Sequence, residues 1–273
     1  MMRTMYSGIS GIRAHQVKMD VVANNIANVN TVGYKASRVT FQEVLNQTIQ
    51  PSFAAVADGI GGMNAQQIGL GVAVGSIDVM HNASSVQRTD RPFDVSIAGE
   101  GFFMVQDGTN QLYTRAGNFY VDGGEGSADG KGSLVTQGGN KVLDQSGKPI
   151  TIDPTYTNLS IDQGGNIKAI DATGAVVEDT IGILGIAKFA NPQGLMKEGN
   201  NLFRKAPNSG EPTVGASGTE GFSSLIPGSL EMSNVDLSQE FTDMIIAQRG
   251  FQANSRVITT SNELLQELAG IIR

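Results

Sequence analysis

The stretch 235–273, VDLSQEFTDMIIAQRGFQANSRVITTSNELLQELAGIIR, decides how this chain folds. Counted in sevens from Leu237 it is apolar at every stop: Leu237, Met244, Phe251, Ile258, Leu265 and Ile272. A seven-residue apolar repeat sustained over several turns marks a helix with a buried seam. No proline interrupts it, and a helix of roughly 36 residues would be about 54 Å long. The companion row, Phe241, Gln248, Ser255, Asn262 and Ala269, is mostly polar, which weakens a two-helix pair while helping to fix register. Asp236, with Gln239 three residues on, offers an N-terminal cap.

The other end of the chain carries a matching pattern. Met5, Ile12, Met19 and Ile26 form one apolar row, and Met2, Ile9, Gln16 and Ala23 a second. The spacing predicts a helix from about Arg3 to Ala27 or Asn28, made marginal by Gly8 and Gly11, which cost about 1 kcal/mol each relative to alanine. It ends among Asn24, Asn25, Asn28 and Asn30, followed by Gly33, where turn chemistry replaces periodicity. Two independent surface helices would also satisfy the spacing. The regularity at both termini, where chains usually fray, points instead to helices that pair with each other and with other copies.

Between the helices the texture changes. Residues 39–49 read as a short amphipathic helix, and 50–75, rich in Pro, Gly, Ala and Ser, as an extended linker. From about Val72 to Leu230 short β-type runs alternate with turn dipeptides such as Asp107-Gly108, Asp122-Gly123 and Gly164-Gly165. The expected strands are 75–80, 93–97, 101–106, 111–115, 118–121, 133–136, 157–161, 167–170 and 183–189. Residues 206–221 read as a loop. The fold class is therefore α+β, with long N- and C-terminal helices forming a coiled-coil-like module around an inserted all-β domain. The expected divisions are 1–32 with 233–273 for the helical module, 33–80 for the linker with its short helix, and 81–232 for the β-rich domain.

Composition narrows the function classes. The chain has 273 residues, a net charge of −7 and a pI near 4.9, and no Lys/Arg cluster offers a stripe for nucleic acid. Cysteine is absent, which excludes disulfides and thiolate chemistry. No run approaches the roughly 20 apolar residues of a membrane span, and the N-terminus lacks the apolar core of a cleaved signal. His15 and His81, the two histidines, have no ligands at metal spacing and read as solvated surface residues. The acidic turn from Asp122 to Gly130 does not match a calcium loop. No catalytic, cofactor or metal site is expected, and an enzyme reading has no positive support.

Five runs at both ends and in the middle of the chain stand out: DVVANNIANVNTVGYK (20–35), with Ser10-Gly11 upstream and Phe41 downstream, AGEGFF (98–103), RAGNF (115–119), GSLEMSNVDLSQEF (228–241) and IAQRGFQANSR (246–256). Together they make a resemblance to the flagellar rod and hook proteins. It implies an axial structural protein of the bacterial flagellum, exported by the type III apparatus without a cleaved signal peptide and polymerising helically around a channel. Its implied partners are further copies, neighbouring rod, hook and hook–filament junction proteins, the export apparatus and the hook cap. The row residues would be subunit contacts, while Asn24, Asn25, Asn28 and Gly33 would cap and turn the first helix. The start MYSGISG (5–11) and the run NTVGYKASRVTF (30–41) resemble short hook proteins of Gram-positive bacteria, so a hook subunit is expected, with the distal rod as the alternative. A secreted β-domain adhesin or glycan-binding module is a more remote reading, because it leaves the paired seams unexplained.

Overall fold

The computed structural model describes residues 2–54, 61–123, 130–153, 156–171 and 181–271. They form two compact units: Met1–Ala27 with Ser37–Val79 and Asp236–Arg273, and Asn28–Ala36 with Met80–Val235. The fold is α+β: an N-terminal helix, a large β-rich region and a C-terminal helix. Among the described residues, no helix is long and apolar enough to cross a membrane.

In the first unit, α1 spans Met2–Ala27 and α2 spans Leu237–Ile271. Asp236 caps α2 as its position suggests. Its Oδ1 accepts the backbone N–H of Ser238 at 2.8 Å and of Gln239 at 3.4 Å, relieving two donors that the helix cannot pair itself. The helices lie side by side, joined by Lys18 Nζ to Asp243 Oδ1 at 2.7 Å. Glycines set how close they come. A Cβ on Gly11 would stand 2.5 Å from the Asn254 amide nitrogen, and one on Gly250 2.5 Å from the His15 ring. What the sequence shows as two poor helix formers in α1 are thus points of close approach, where the helix gives up intrinsic stability for contact.

Residues 39–43 and 46–49 belong to two strands, not to the short helix expected. Strand β1 (Ser37–Glu43) pairs antiparallel with β4 (Val72–Val79), Ser37 opposite Val79 and Glu43 opposite Val72, with an irregularity between Thr40 and Phe41. β2 (Asn46–Gln50) pairs with β3 (Gln66–Gly69), and Phe53 bridges Met63 beyond them. Val39, Thr40, Thr48 and Ile49 are β-branched and lose side-chain freedom in a helix. A cross-strand partner some thirty residues later then decides between the two, and no local pattern displays it.

In the second unit the central strand is Phe102–Asp107. It forms a hairpin with Asn110–Thr114, turning at Asp107-Gly108 as the dipeptide predicts, with Gly108 at φ +59°. Leu202–Arg204 and the edge strand Met196–Gly199 extend the sheet on one side, and Lys141–Val142, Gly132–Thr136 and Thr151–Ile152 on the other. Gly185–Lys188 also pairs with the central strand and carries Thr213–Ala216 on its far side. The expected loop at 206–221 therefore contains a sheet strand, and Ser209 within it is fully buried, its hydroxyl donating to Ala206 O at 2.7 Å. The core gathers Val95, Phe103, Phe119, Leu134, Leu184 and Ile186, with Phe103 and Phe119 edge-to-face at 5.2 Å. Glu125 and Asp129 of the acidic turn lie outside the described residues.

Candidate assembly interface

The residues of α1 that are buried are Gly8, Gly11, Ala14, Val22 and Asn25. The predicted row Met5, Ile12, Met19 and Ile26 is only half-buried beside them. On α2, Ala247 and Ser261 are buried, Met244, Phe251, Ile258 and Leu265 half-buried, and Leu237 exposed; Ile272 lies outside the described residues. Small residues stand where the two helices come closest, Gly8 against Ile258, Gly11 against Asn254 and Gly250 against His15. Hydropathy counting passes over glycine and alanine, yet these allow the two backbones to meet. Met19, Met244 and Phe251 instead line a shallow groove with Gln16, Ala23 and Gln248. Both predicted rows therefore contribute to one open face of the pair.

A second apolar surface escapes the seven-residue count from Leu237. Phe241, Ile245, Ile246, Val257, Leu264 and Leu268 on α2 are each between 42% and 57% exposed. Ile246, Val257, Leu264 and Leu268 follow one another at helical spacings of 11, 7 and 4. Starting the count at Val257 would have found part of this stripe. The β2–β3 ribbon is similar, with Leu45, Ile49, Phe53, Met63, Ile68 and Leu70 exposed along it. A two-stranded ribbon with no buried face is marginal in water, and apolar surface on this scale marks an interaction site.

The helix-end residues have defined positions. Asn25 is buried; its Oδ1 accepts the Ser37 N–H at 3.0 Å, and its Nδ2 donates to Ser37 O at 2.8 Å and to Glu240 Oε1 at 3.0 Å. Burial raises the Glu240 carboxyl above its ordinary value, against the hydrogen bond from Asn25. Asn24 is exposed on α1. In the second unit, Asn28 accepts the Thr31 N–H at its carbonyl and the Thr31 hydroxyl at its side chain. Gly33 sits at φ +69°, where a Cβ would stand 2.6 Å from the Ala116 nitrogen, and its N–H donates to Glu231 O at 2.8 Å.

Around Gly33 the second unit buries a charge cluster that sequence reading missed. Lys35 Nζ lies 2.6 Å from Glu231 Oε1, and Arg115 Nη1 lies 3.1 Å from Glu231 Oε2, with all three side chains at most 2% exposed. Burial lowers the pKa of both cations, and Glu231 opposes the shift. Lys35 also donates to Asn82 O, Arg115 Nη2 to Gly99 O, and the Ser84 N–H to Glu231. Three separate quoted runs, VGYK, RAGNF and GSLEM, supply one ion each. Gly117 of the second run is equally constrained, since a Cβ there would fall on the carbonyl oxygen of Val95. His81 is not solvated: its ring packs on Phe102 and Phe203, each 5.3 Å away. Burial, then the charges of Lys35, Arg115 and Lys197, lowers its pKa to about 4. His15 is half-buried against Phe41, and burial and Lys18 lower its pKa as well.

These features are structural, and among the described residues no group of acids and histidines could hold a metal ion. Family models match at three places: Flagella basal body rod protein over residues 5–35, Flagellar hook protein FlgE/F/G D1 domain over 96–169, and Flagellar basal body rod FlgEFG protein C-terminal over 226–271. The chain is 48% identical to flagellar basal-body rod protein FlgG of Bacillus subtilis, covering the full length of both. It is 36% identical to FlgG of Caulobacter vibrioides, over 97% of each chain. To flagellar hook protein FlgE of Borreliella burgdorferi it is 28% identical, over 98% of this chain and 99% of that one. The chain belongs to the flagellar rod and hook family. It is a structural component of the bacterial flagellum and not a member of an enzyme family.

Proposed function

We propose that this chain is the distal rod subunit, polymerising helically with its terminal helices as the inner wall of a tube around the export channel. The observation that carries the rod reading is the match to FlgG from end to end at 48% identity. The match to the hook protein extends over 438 aligned residues, so that relative carries a large segment this chain lacks. The rod reading accordingly displaces the hook expected from the opening residues. In the polymer, the groove between Met19 and Phe251 and the stripe from Ile246 to Leu268 receive helices of adjacent copies, in coiled-coil fashion. The exposed β2–β3 ribbon is the element that stiffens contacts between subunits. Adjacent rod and hook proteins cap the two ends, and the subunit reaches its place through the type III export apparatus.

The test is a deletion strain viewed by electron microscopy of isolated basal bodies. Loss of the distal rod supports the proposal; complete rods ending without hooks would return the hook reading. A chain shortened across residues 46–69 should still assemble, but into a visibly more flexible structure.

A further inference from the structure

In the second unit a cleft of about 410 Å³ is walled by the turn at 136–140, the turn at Asn200 and Asn201, the end of the strand Asn110–Thr114 with the residues after it, and the entering segment at Val32. Its lining, among the described residues, has no charged side chain and no aromatic ring; beyond Val32, Ala116 and Leu202 it consists of hydroxyls, carboxamides and glycine. Several of those polar groups are unspent. Asn118 Nδ2 donates to Gln137 Oε1 at 3.4 Å and Asn201 Nδ2 to Val32 O at 2.9 Å, which leaves both Oδ1 atoms without a donor among the described residues. The Asn140 carboxamide engages no other described side chain or backbone group, and none of these atoms is sealed from water. A Cβ on Gly138 would stand 3.8 Å from Asn140 Nδ2 and 4.0 Å from Thr136 Oγ1, so bare backbone leaves both polar atoms uncovered on one wall. Turn chemistry accounts for Asn200 and Asn201, whose φ of +49° and +59° asparagine tolerates, but no such backbone demand falls on Asn118 or Asn140. A free carboxamide sets an acceptor beside two donors, and a hydroxyl of a sugar ring both gives and takes a hydrogen bond. An ion would find no counter-charge in this cleft, and an apolar ligand would leave the amides unpaired.

We propose that this cleft binds a neutral saccharide, roughly one or two pyranose rings, through the carboxamides of Asn118, Asn140 and Asn201 and the hydroxyl of Thr136. Val32 and Ala116 give the ring carbons an apolar edge. With no aromatic platform to stack on, the affinity is modest, about millimolar. The site serves a ligand and not assembly, and it is the same whether the subunit belongs to rod or hook.

The test is titration of the full chain, dilute and labelled with nitrogen-15, with glucose and separately with N-acetylglucosamine. The readout is the side-chain amide signals of Asn118 and Asn140, with exposed Asn208 of the same unit as the internal control. At least one sugar should move the first two saturably, with a midpoint of about 1 to 20 mM, while Asn208 stays fixed. Asn140→Ala removes a group with no partner in the chain, so it should leave thermal melting unchanged and raise the Asn118 midpoint at least about fivefold. Gly138→Leu keeps every carboxamide but fills the wall from an exposed turn, and should abolish the shift. Signals of Asn118 and Asn140 that stay fixed up to roughly 100 mM of both sugars overturn the proposal. So does a shift that Asn208 shares without saturation, or a midpoint indifferent to both substitutions.

Discussion

Lys35 and Glu231 stand 196 positions apart in sequence, yet their charged ends meet at 2.6 Å inside the second unit, nearly sealed from water. One lies where the chain enters the β-rich region and the other where it prepares to leave. Their contact, with Arg115 on the opposite carboxylate oxygen, fixes which passages of chain lie together. Buried ions cost several kcal/mol each to desolvate and recover it only through good geometry. Glu231→Gln leaves two cations facing a neutral amide, and should cost about 3–5 kcal/mol. Urea denaturation of the β-rich unit is the measurement. Lys35→Met combined with Arg115→Leu and Glu231→Leu removes every charge and should cost less than Glu231→Gln alone.

His81 makes the same unit sensitive to mild acid. Its folded pKa, about 4, lies below the ordinary histidine value of 6.5. Between those pH values the unfolded chain binds the extra proton, so stability falls as pH drops from 6.5 toward 4 and is unaffected by this residue above 6.5. The loss is at most about 3 kcal/mol. His81→Phe keeps the ring packing against Phe102 and Phe203 while removing the proton site. The variant should lose most of the pH slope between 4 and 6.5 in parallel denaturant titrations.

Much of this was legible in the sequence, and the failures share a cause. Both terminal helices, the Asp236 cap, the Asp107-Gly108 hairpin and the alternating strands are local, dictated by periodicity and turn chemistry within a few residues. What was hidden depends on partners distant in the chain. Residues 39–43 became strand because Val72–Val79 pairs with them, 206–221 includes a strand because Gly185–Lys188 lies beside it, and His81 is packed because two phenylalanines from separate strands converge. The closest approach of the helices falls at Gly8, Gly11 and Gly250, which carry no hydropathic signal, although Ile258 of the expected row lies against Gly8.

Asn25 performs two tasks from the last turns of α1: it pairs with both backbone groups of Ser37 and donates to Glu240. Asn25→Ala should destabilise the helical unit by roughly 2–3 kcal/mol. Asn25→Asp keeps the acceptor but loses both donations and sets a carboxylate beside Glu240, so it should be no better than alanine. Hydrogen exchange at the Ser37 amide reports the local loss directly.

Gly117 offers a steric test of the RAGNF run. A methyl there meets the Val95 carbonyl, which is itself held within the core, so neighbouring backbone must shift. Gly117→Ala should cost 1–3 kcal/mol or more. Gly123→Ala, where a Cβ meets nothing within 4 Å, is the matched control and should be near neutral. A comparison of thermal midpoints settles it.

The two faces of α2 separate folding from assembly. Ile258 lies against Gly8 within the same chain, 3.2 Å from where a Cβ on that glycine would be, whereas Val257 and Leu264 turn 42% and 51% of their surface to solvent. Ile258→Asp places a charge between the helices and should destabilise the isolated subunit as well as prevent polymerisation. Leu264→Asp should leave the subunit's melting unchanged and still block growth, because the charge is buried only when a neighbouring helix arrives. Phe251→Asp, at the half-buried groove, should block growth with an intermediate loss of subunit stability. Circular dichroism on dilute subunit and electron microscopy of concentrated protein give the two readouts. Normal tubes from Leu264→Asp would mean that the exposed stripe is not where neighbouring copies meet.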